Sequence, residues 1–310
     1  MEKDRIKTCI DVAKLYYESN YTQDQISKHL NISRPTVSRM INYCKEKNIV
    51  QIKIVNPFER QQSNEFELEK KYGLKKAIVA YEPLNNSNEI LTAICSKAAS
   101  YLNETVSDGD SIGVCWGRTL YTIAKLLTPR MLRGVSIVQL KGGVPNTEIQ
   151  TYAKEIVDIF SRKFNGQGYY LPLPTLFSDL STKLIVLKDP FISNIVKMGE
   201  KTNIALFTVG AAGENALLYK LGFFSPRDKR ALAKVAAGDI CSRLIDDKGQ
   251  ICDATLDART NSIQLEILKQ KDTRILVAGG ESKLRAIKAA LAGGYANVLI
   301  TDQFTAYELL

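Results

Sequence analysis

Beyond about residue 74 the chain alternates short apolar runs with amphipathic stretches, and this alternation limits the fold more than any other feature. Residues 77–81, 111–114, 135–140, 204–209, 239–244, 274–278 and 298–301 read as strands. Between them, near 88–104, 118–128, 149–164, 180–199, 213–220, 226–236, 281–292 and 302–310, apolar residues recur at helical spacing. Strands joined through helices close into a layered α/β domain with a mainly parallel sheet. There is no internal repeat and no low-complexity segment.

Residues 1–57 follow a different rule. They contain no glycine and carry ten basic against six acidic residues, out of a formal charge of +9 for all 310 residues. Ile6, Ile10, Val12, Ala13, Leu15 and Tyr16 mark one amphipathic helix. Thr22-Gln23-Asp24-Gln25 reads as a capping box that opens a short second helix, with Ile26 and Leu30 inward. Asn31-Ile32 makes a turn. Ser33 caps a third helix with Pro35 in its first turn, where a missing N–H does no harm. Val37, Met40, Ile41 and Cys44 form its buried stripe, which leaves Arg34, Thr36, Ser38, Arg39 and Asn42 outside. Two short helices with a tight turn, the second basic and polar outward, predict a helix-turn-helix whose second helix enters the major groove of DNA. Arg34 and Arg39 suit guanine or phosphate, Asn42 suits adenine, and the hydroxyls, with Thr22 and Pro35 beside them, suit the backbone. A plain three-helix bundle with a solvated polar face is the alternative. Residues 49–55 alternate like a strand, as a wing would. Residues 58–73 read as a charged linker helix ending at Gly73, so the expected domains are 1–57, the linker, and 74–310.

Several function classes are excluded. His29 is the only histidine, so histidine-rich metal centres and histidine-based nucleophilic catalysis have nothing to build on. His29 itself reads as a surface or capping residue. The six cysteines show no paired spacing, which predicts small buried hydrophobes in a reducing cytoplasm, with neither a metal site nor a disulfide framework. No run of about 18 apolar residues exists to span a membrane, and the N-terminus lacks the features of a secretory signal. No cofactor fingerprint is present: no turn matches a P-loop or a complete GxGxxG.

In open α/β sheets, ligands gather at the carboxyl ends of strands. Four such ends here carry turns that suit a ligand. In the first, Gly117, Arg118 and Thr119 open a helix and suit a phosphate. The second is Gln139-Leu140-Lys141-Gly142-Gly143, the third ends at Gly210, and the fourth is Gly279-Gly280-Glu281-Ser282-Lys283. Packing alone also explains a glycine after a strand. Lys141 ends an apolar strand. A poorly solvated amine there has a lowered pKa, and a neutral lysine facing an open-chain aldose forms a Schiff base. The alternatives are a snorkelling lysine or one that pairs with phosphate. Asp239, with Arg243 nearby, suits sugar hydroxyls; Asp246-Asp247 suits a surface turn. Leu171-Pro172-Leu173-Pro174 is a rigid loop, either a pocket wall or an ordinary turn, and Trp116 reads as core.

ISRPTVSRMINYCKEKNIVQIKIVNPF from Ile32, then GVCWGRTL, VQLKGG, LPLP, FTVG, GDICSRLID, VAGGESKLRAI and YANVLITDQFTA resemble the SorC family of bacterial transcriptional regulators. The similarity spans almost the whole chain, in order, and is greatest to the deoxyribonucleoside regulator group. It implies an N-terminal helix-turn-helix and a C-terminal Rossmann-like effector domain similar to sugar-phosphate isomerases. It also implies a homo-oligomer on operator DNA and a phosphosugar effector. By the resemblance, Gly117, Arg118 and Thr119 map to the phosphate-binding turn, and Gly279, Gly280 and Lys283 to the late glycine turn. The family often has a small hydroxyl residue where this chain has Arg118. The group implies deoxyribose 5-phosphate, whose open-chain aldehyde Lys141 would capture. The expected function is a repressor of deoxyribonucleoside or sugar catabolism genes, released from a palindromic operator by its effector. The alternative is a sugar-phosphate isomerase or aldolase-like enzyme with a DNA-binding appendage.

Overall fold

The computed structural model describes residues 2–51, 61–144, 150–211, 213, 219, 224 and 226–310. The chain divides into two compact units, Met1–Glu59 and Arg60–Leu310.

The first unit is helical: α1 (Glu2–Tyr17), α2 (Gln23–Leu30) and α3 (Arg34–Glu46). The sequence signals for its boundaries act as expected. The Gln25 amide donates to Thr22 Oγ1 at 3.3 Å while the Thr22 amide donates to Gln25 Oε1 at 2.8 Å, a reciprocal capping box. Asn31, with φ of 50°, ends α2 in the left-handed conformation that asparagine tolerates. Ser33 then caps α3, accepting from the Thr36 amide at 3.3 Å, with Pro35 in the first turn. Val12, Ile26, Val37 and Ile41 make one small core, and Cys9, Ala13 and Cys44 continue it. Met40 is only half-buried. Of the strand expected over 49–55, residues 52–55 lie outside the described residues, and 49–51 are irregular.

The second unit opens with α4 (Gln61–Tyr72), which packs on β1 (Lys76–Ala80). Its main sheet also contains β2 (Ser111–Val114), β3 (Ser136–Gln139), β4 (Gln167–Tyr169), β5 (Ile204–Phe207), β9 (Thr273–Val277) and β10 (Val298–Asp302). The order is β1-β10-β9-β5-β2-β3-β4, and every neighbouring pair is parallel. β5 and β10 are buried at every residue, as a sheet covered on both faces requires. The helices α5 (Ser87–Thr105), α6 (Arg118–Leu126) and α7 (Ala153–Lys163) lie side by side against it. After β2 the chain moves outward through β3 and β4. After β5 it moves the other way, to β9 and β10. The neighbours β2 and β5 therefore flank the point where the winding reverses, and it is at the carboxyl ends of such a pair that open α/β sheets gather ligands.

Four expectations are corrected. The strand expected over 239–244 is a hairpin: β7 (Gly238–Ile240) and β8 (Arg243–Ile245) pair antiparallel and add to β6 (Val209–Ala211) as a separate three-stranded sheet. Cys241 and Ser242 make its turn at φ of 50° and 69°, a job that glycine or asparagine would have signalled. The strand expected over 204–209 is interrupted at Thr208, where the chain leaves the main sheet for the small one. The helix expected over 180–199 is two, α8 (Leu180–Val186) and α9 (Pro190–Lys201), because Pro190 cannot continue a helix and Asp189 instead caps the next one, accepting from the Phe191 and Ile192 amides. Cys115 and Cys241, 126 residues apart, are joined as a disulfide, where six independent buried thiols were expected. Most of the helix expected near 213–220 lies outside the described residues; Tyr219 within it is buried.

Candidate functional sites

The exposed face of α3 is the first candidate. Arg34, Pro35, Arg39 and Asn42 are exposed and Thr36 and Ser38 half-exposed, while the opposite face fills the core. Arg34 pairs with Asp24 across α2 and α3 at 3.5 Å, with both side chains about two-thirds exposed. A pair so open to solvent contributes little and is readily exchanged for another anion. The Thr22 and Ser33 hydroxyls are engaged in caps. His29 lies on the surface beside Tyr21.

The second candidate lies in the second unit, at the carboxyl ends of β2 and β5. β2 delivers Cys115, Trp116 and Gly117. Gly117 caps α6 at φ of 130°, a conformation closed to side-chain-bearing residues, and leaves the first amides of α6 without a side-chain cap. Helix α6 begins at Arg118, where the expected helix starts. Arg118 is exposed and donates to Asn88 Oδ1 at 3.0 Å, whereas Thr119 is buried.

β3 delivers Gln139 and, just beyond it, Lys141. The Gln139 amide is spent on the frame, donating to the Lys141 carbonyl at 2.7 Å and accepting from the Leu171 amide at 3.3 Å. Gly142 lies against the Leu173 and Pro174 carbonyls where a Cβ has no room, so the Leu-Pro-Leu-Pro loop is seated directly on the glycine. Gly143 donates to the Leu173 carbonyl at 2.8 Å. The loop is thereby packed against the turn that carries Lys141.

Lys141 is 6% exposed. Its Nζ lies 3.5 Å from the centroid of the Trp116 ring and donates to Ser242 Oγ at 3.3 Å. Burial depresses the amine to about 8, and the Asp239 carboxylate recovers part of that loss. Trp116 is core, as expected, but also a wall of this site: its indole N–H donates to the Gly142 carbonyl at 2.7 Å.

Asp239 sits at the centre. Its carboxylate accepts from the Ser242 amide at 2.8 Å and fills the space that a Cβ on Gly210 would occupy. Gly210 is thus needed to seat a carboxylate. From the fourth turn, Lys283 donates to Thr208 Oγ1 at 3.2 Å. Burial lowers its pKa too, opposed by Asp239 and by Cys95. Cys95 in turn feels both Lys283 and Arg118. One buried and one half-buried ammonium group, Lys141 and Lys283, thus both interact with the Asp239 carboxylate, and Lys283 shares Cys95 as a neighbour with Arg118. Gly280, at φ of 86°, donates to Asp302 Oδ2 at 3.0 Å and Thr305 Oγ1 at 2.8 Å, and Gly279 leaves room for that same Asp302 carboxylate. Both glycines position the turn that carries Lys283.

Sequence reasoning missed the group that holds this site from behind. Arg243 is 1% exposed and donates from Nε to the Ile263 carbonyl at 2.8 Å and from Nη2 to the Ser262 carbonyl at 2.7 Å, with Asp257 as its counter-ion. Lys183 donates to the Ala258 and Thr260 carbonyls at 2.7 and 2.8 Å. Together they pin the 257–263 segment, whose Ser262 bridges Lys141 and whose Asn261 carbonyl accepts from the Gly142 amide. Asp246 and Asp247 serve a turn, as expected, and Asp247 pairs with Arg285. Among the described residues no cluster of metal-ligating side chains occurs, and no helix is long and apolar enough to cross a membrane.

Cations and hydroxyls gathered at a sheet's winding reversal, in a chain with a separate basic three-helix unit, are the features of a ligand-responsive DNA-binding protein. Residues 56–310 match the family model described as "Putative sugar-binding domain". Over all 310 residues the chain is 46% identical to the deoxyribonucleoside regulator of Bacillus subtilis (strain 168), covering 99% of it. It is 29% identical to the sorbitol operon regulator of Klebsiella pneumoniae, over 99% of this chain and 98% of that one. The crystal structure of the full-length sorbitol operon regulator SorC from Klebsiella pneumoniae superposes with a TM-score of 0.74 at 28% identity, over 98% of each chain. A transcriptional regulator from Streptococcus pneumoniae TIGR4 gives a TM-score of 0.76 at 25% identity, over 82% of this chain and 98% of that one. The chain belongs to the SorC family of sugar-binding transcriptional regulators. It is a regulator rather than an enzyme, and the isomerase- or aldolase-like alternative is set aside.

Proposed function

We propose that this protein represses deoxyribonucleoside or related sugar catabolism genes and leaves its operator when Lys141 captures deoxyribose 5-phosphate. The helix-turn-helix of residues 1–57 reads DNA through Arg34, Thr36, Ser38, Arg39 and Asn42, and residues 74–310 bind the effector. As a homo-oligomer it presents two recognition helices to a palindromic site, about 34 Å apart or a multiple of that.

The observation that carries this reading is the buried Lys141 amine between Trp116, Ser242 and Asp239. An amine lowered to about 8 is neutral in a usable fraction near neutrality. It adds to the C1 aldehyde to give a carbinolamine. Loss of water then leaves the imine, with Asp239, the carboxylate that acts on the amine electrostatically, as the candidate group to carry the proton. The phosphate is assigned to the open amides of α6, Arg118 and Lys283, with Gly279 and Gly280 shaping the turn beside it. The relative from Bacillus subtilis, named a deoxyribonucleoside regulator, supports this class of sugar. Capture shifts DNA affinity only if one conformation holds the effector better than the other.

The test is intact-protein mass spectrometry after incubation with deoxyribose 5-phosphate and borohydride, which reduces the imine to a stable secondary amine. One adduct is expected, on the peptide containing Lys141, and none in Lys141→Ala. No adduct in the wild-type protein, or an adduct that survives in Lys141→Ala, would remove the covalent role from this residue.

A further inference from the structure

The disulfide joins the two residues that immediately precede the contacts of Lys141. Cys115 precedes Trp116, whose ring covers the amine, and Cys241 precedes Ser242, whose hydroxyl accepts from it. One half lies at the end of β2 in the main sheet. The other lies in the turn of the small sheet, with both turn residues in the left-handed region. Non-glycine residues are held at such angles by their surroundings, and here a covalent tie to β2 is part of what holds them. An amine that is 6% exposed meets a sugar aldehyde only when the indole or the hairpin turn moves aside.

We propose that Cys115 and Cys241 form a reversible redox site that gates access to the Lys141 amine: the disulfide closes it and the dithiol opens it. The closing step needs a two-electron oxidant, a hydroperoxide. One thiol attacks the peroxide O–O bond, giving a sulfenic acid and releasing water (or the alcohol of an organic peroxide). The second thiol displaces the sulfenic hydroxyl, forming the S–S bond and a water. A dithiol reductant reverses it by thiol–disulfide exchange, leaving two free thiols and its own disulfide. The 126-residue separation matters, because the bond locks two separate sheets against each other rather than stiffening one loop. Oxidised protein therefore stays in the state that has not met its sugar. That last step rests on the Lys141 capture proposed above; the gate itself does not.

The experiment compares full-length protein reduced with a phosphine and protein oxidised with hydrogen peroxide. Thiols are blocked under denaturing conditions, and disulfide-linked peptides are mapped without reduction. Lys141 reactivity is read twice: by reductive methylation with formaldehyde and cyanoborohydride, and by borohydride trapping of deoxyribose 5-phosphate. A Cys115–Cys241 peptide pair is expected in the oxidised sample. Methylation at Lys141 should be slower there by about tenfold or more, since labelling of a buried group follows the population of its open state. Reduction should restore it, and sugar trapping should fall in parallel. Cys115→Ser should show no response to peroxide, which separates this pair from the other cysteines. Because the main comparison uses wild-type protein, a variant that misfolds cannot imitate it. Free Cys115 and Cys241 after peroxide, or a formed disulfide with unchanged methylation, would overturn the proposal. Slowed methylation with no sugar adduct in either sample would keep the gate and reject the effector.

Discussion

The two candidate sites of this protein are built on opposite plans. The candidate DNA-reading face draws its side chains from one stretch, residues 34–42, on one exposed helix whose limits are set by caps within four residues of each end. The candidate sugar site draws Trp116, Lys141, Asp239 and Lys283 from four separate segments spread over more than half of the chain, and buries one of its two ammonium groups while half-burying the other. A contiguous exposed site tolerates change, since each side chain answers mainly to solvent. A dispersed buried one depends on residues that never touch the ligand, because a charge removed from water must be held by partners placed elsewhere.

The largest effect should come from that hidden frame. Arg243→Ala leaves the 257–263 carbonyls and Asp257 without their donor, and loss of one partner from a buried pair costs about 3–5 kcal/mol. Calorimetry should show the second unit melting well below wild type. A transition unmoved by more than a degree would mean that the segment is held by something other than Arg243. On the other plan, Arg39→Ala should weaken operator binding by about 1–3 kcal/mol, as for one lost base contact, while sugar trapping stays at the wild-type rate. Loss of both activities would point to misfolding and blur the division between the two sites. The smallest effect is graded. Because the folded Lys141 amine is lowered to about 8, the reactive neutral form grows as pH rises toward that value and is complete above it. The rate of adduct formation should climb about tenfold per pH unit below the pKa and then level off. A rate that does not change between pH 6 and 9 would show that the amine is not the titrating nucleophile.

The same contrast explains what was legible before the structure. Thr22, Gln25, Ser33 and Pro35 act within a few residues of themselves, so spacing alone places α2 and α3. The parallel sheet was legible because apolar strands alternate with amphipathic helices, and Lys141 stood out as a cation that ends an apolar run. The hairpin of β7 and β8 was not: its turn uses Cys241 and Ser242 in place of the asparagine or glycine that signals a two-residue hairpin, inside a run that alternates like one strand. Arg243, read from sequence as part of the sugar-facing segment, faces inward instead, and nothing in its neighbours announces the carbonyls of 257–263 that it meets. The pairing of Cys115 with Cys241 depends on two sheets coming together, which no local pattern encodes. β4, three residues at the sheet's edge, is too short to carry a period.

The fit of Asp239 into the space beside Gly210 bears on how such a regulator changes over generations. A lineage that acquires any side chain at 210 meets the carboxylate at 239 at once, so it must either turn that carboxylate away from its Ser242 amide or shorten residue 239, each at the expense of whatever the carboxylate holds. The route to a different sugar therefore runs more freely through the site's other residues than through this pair.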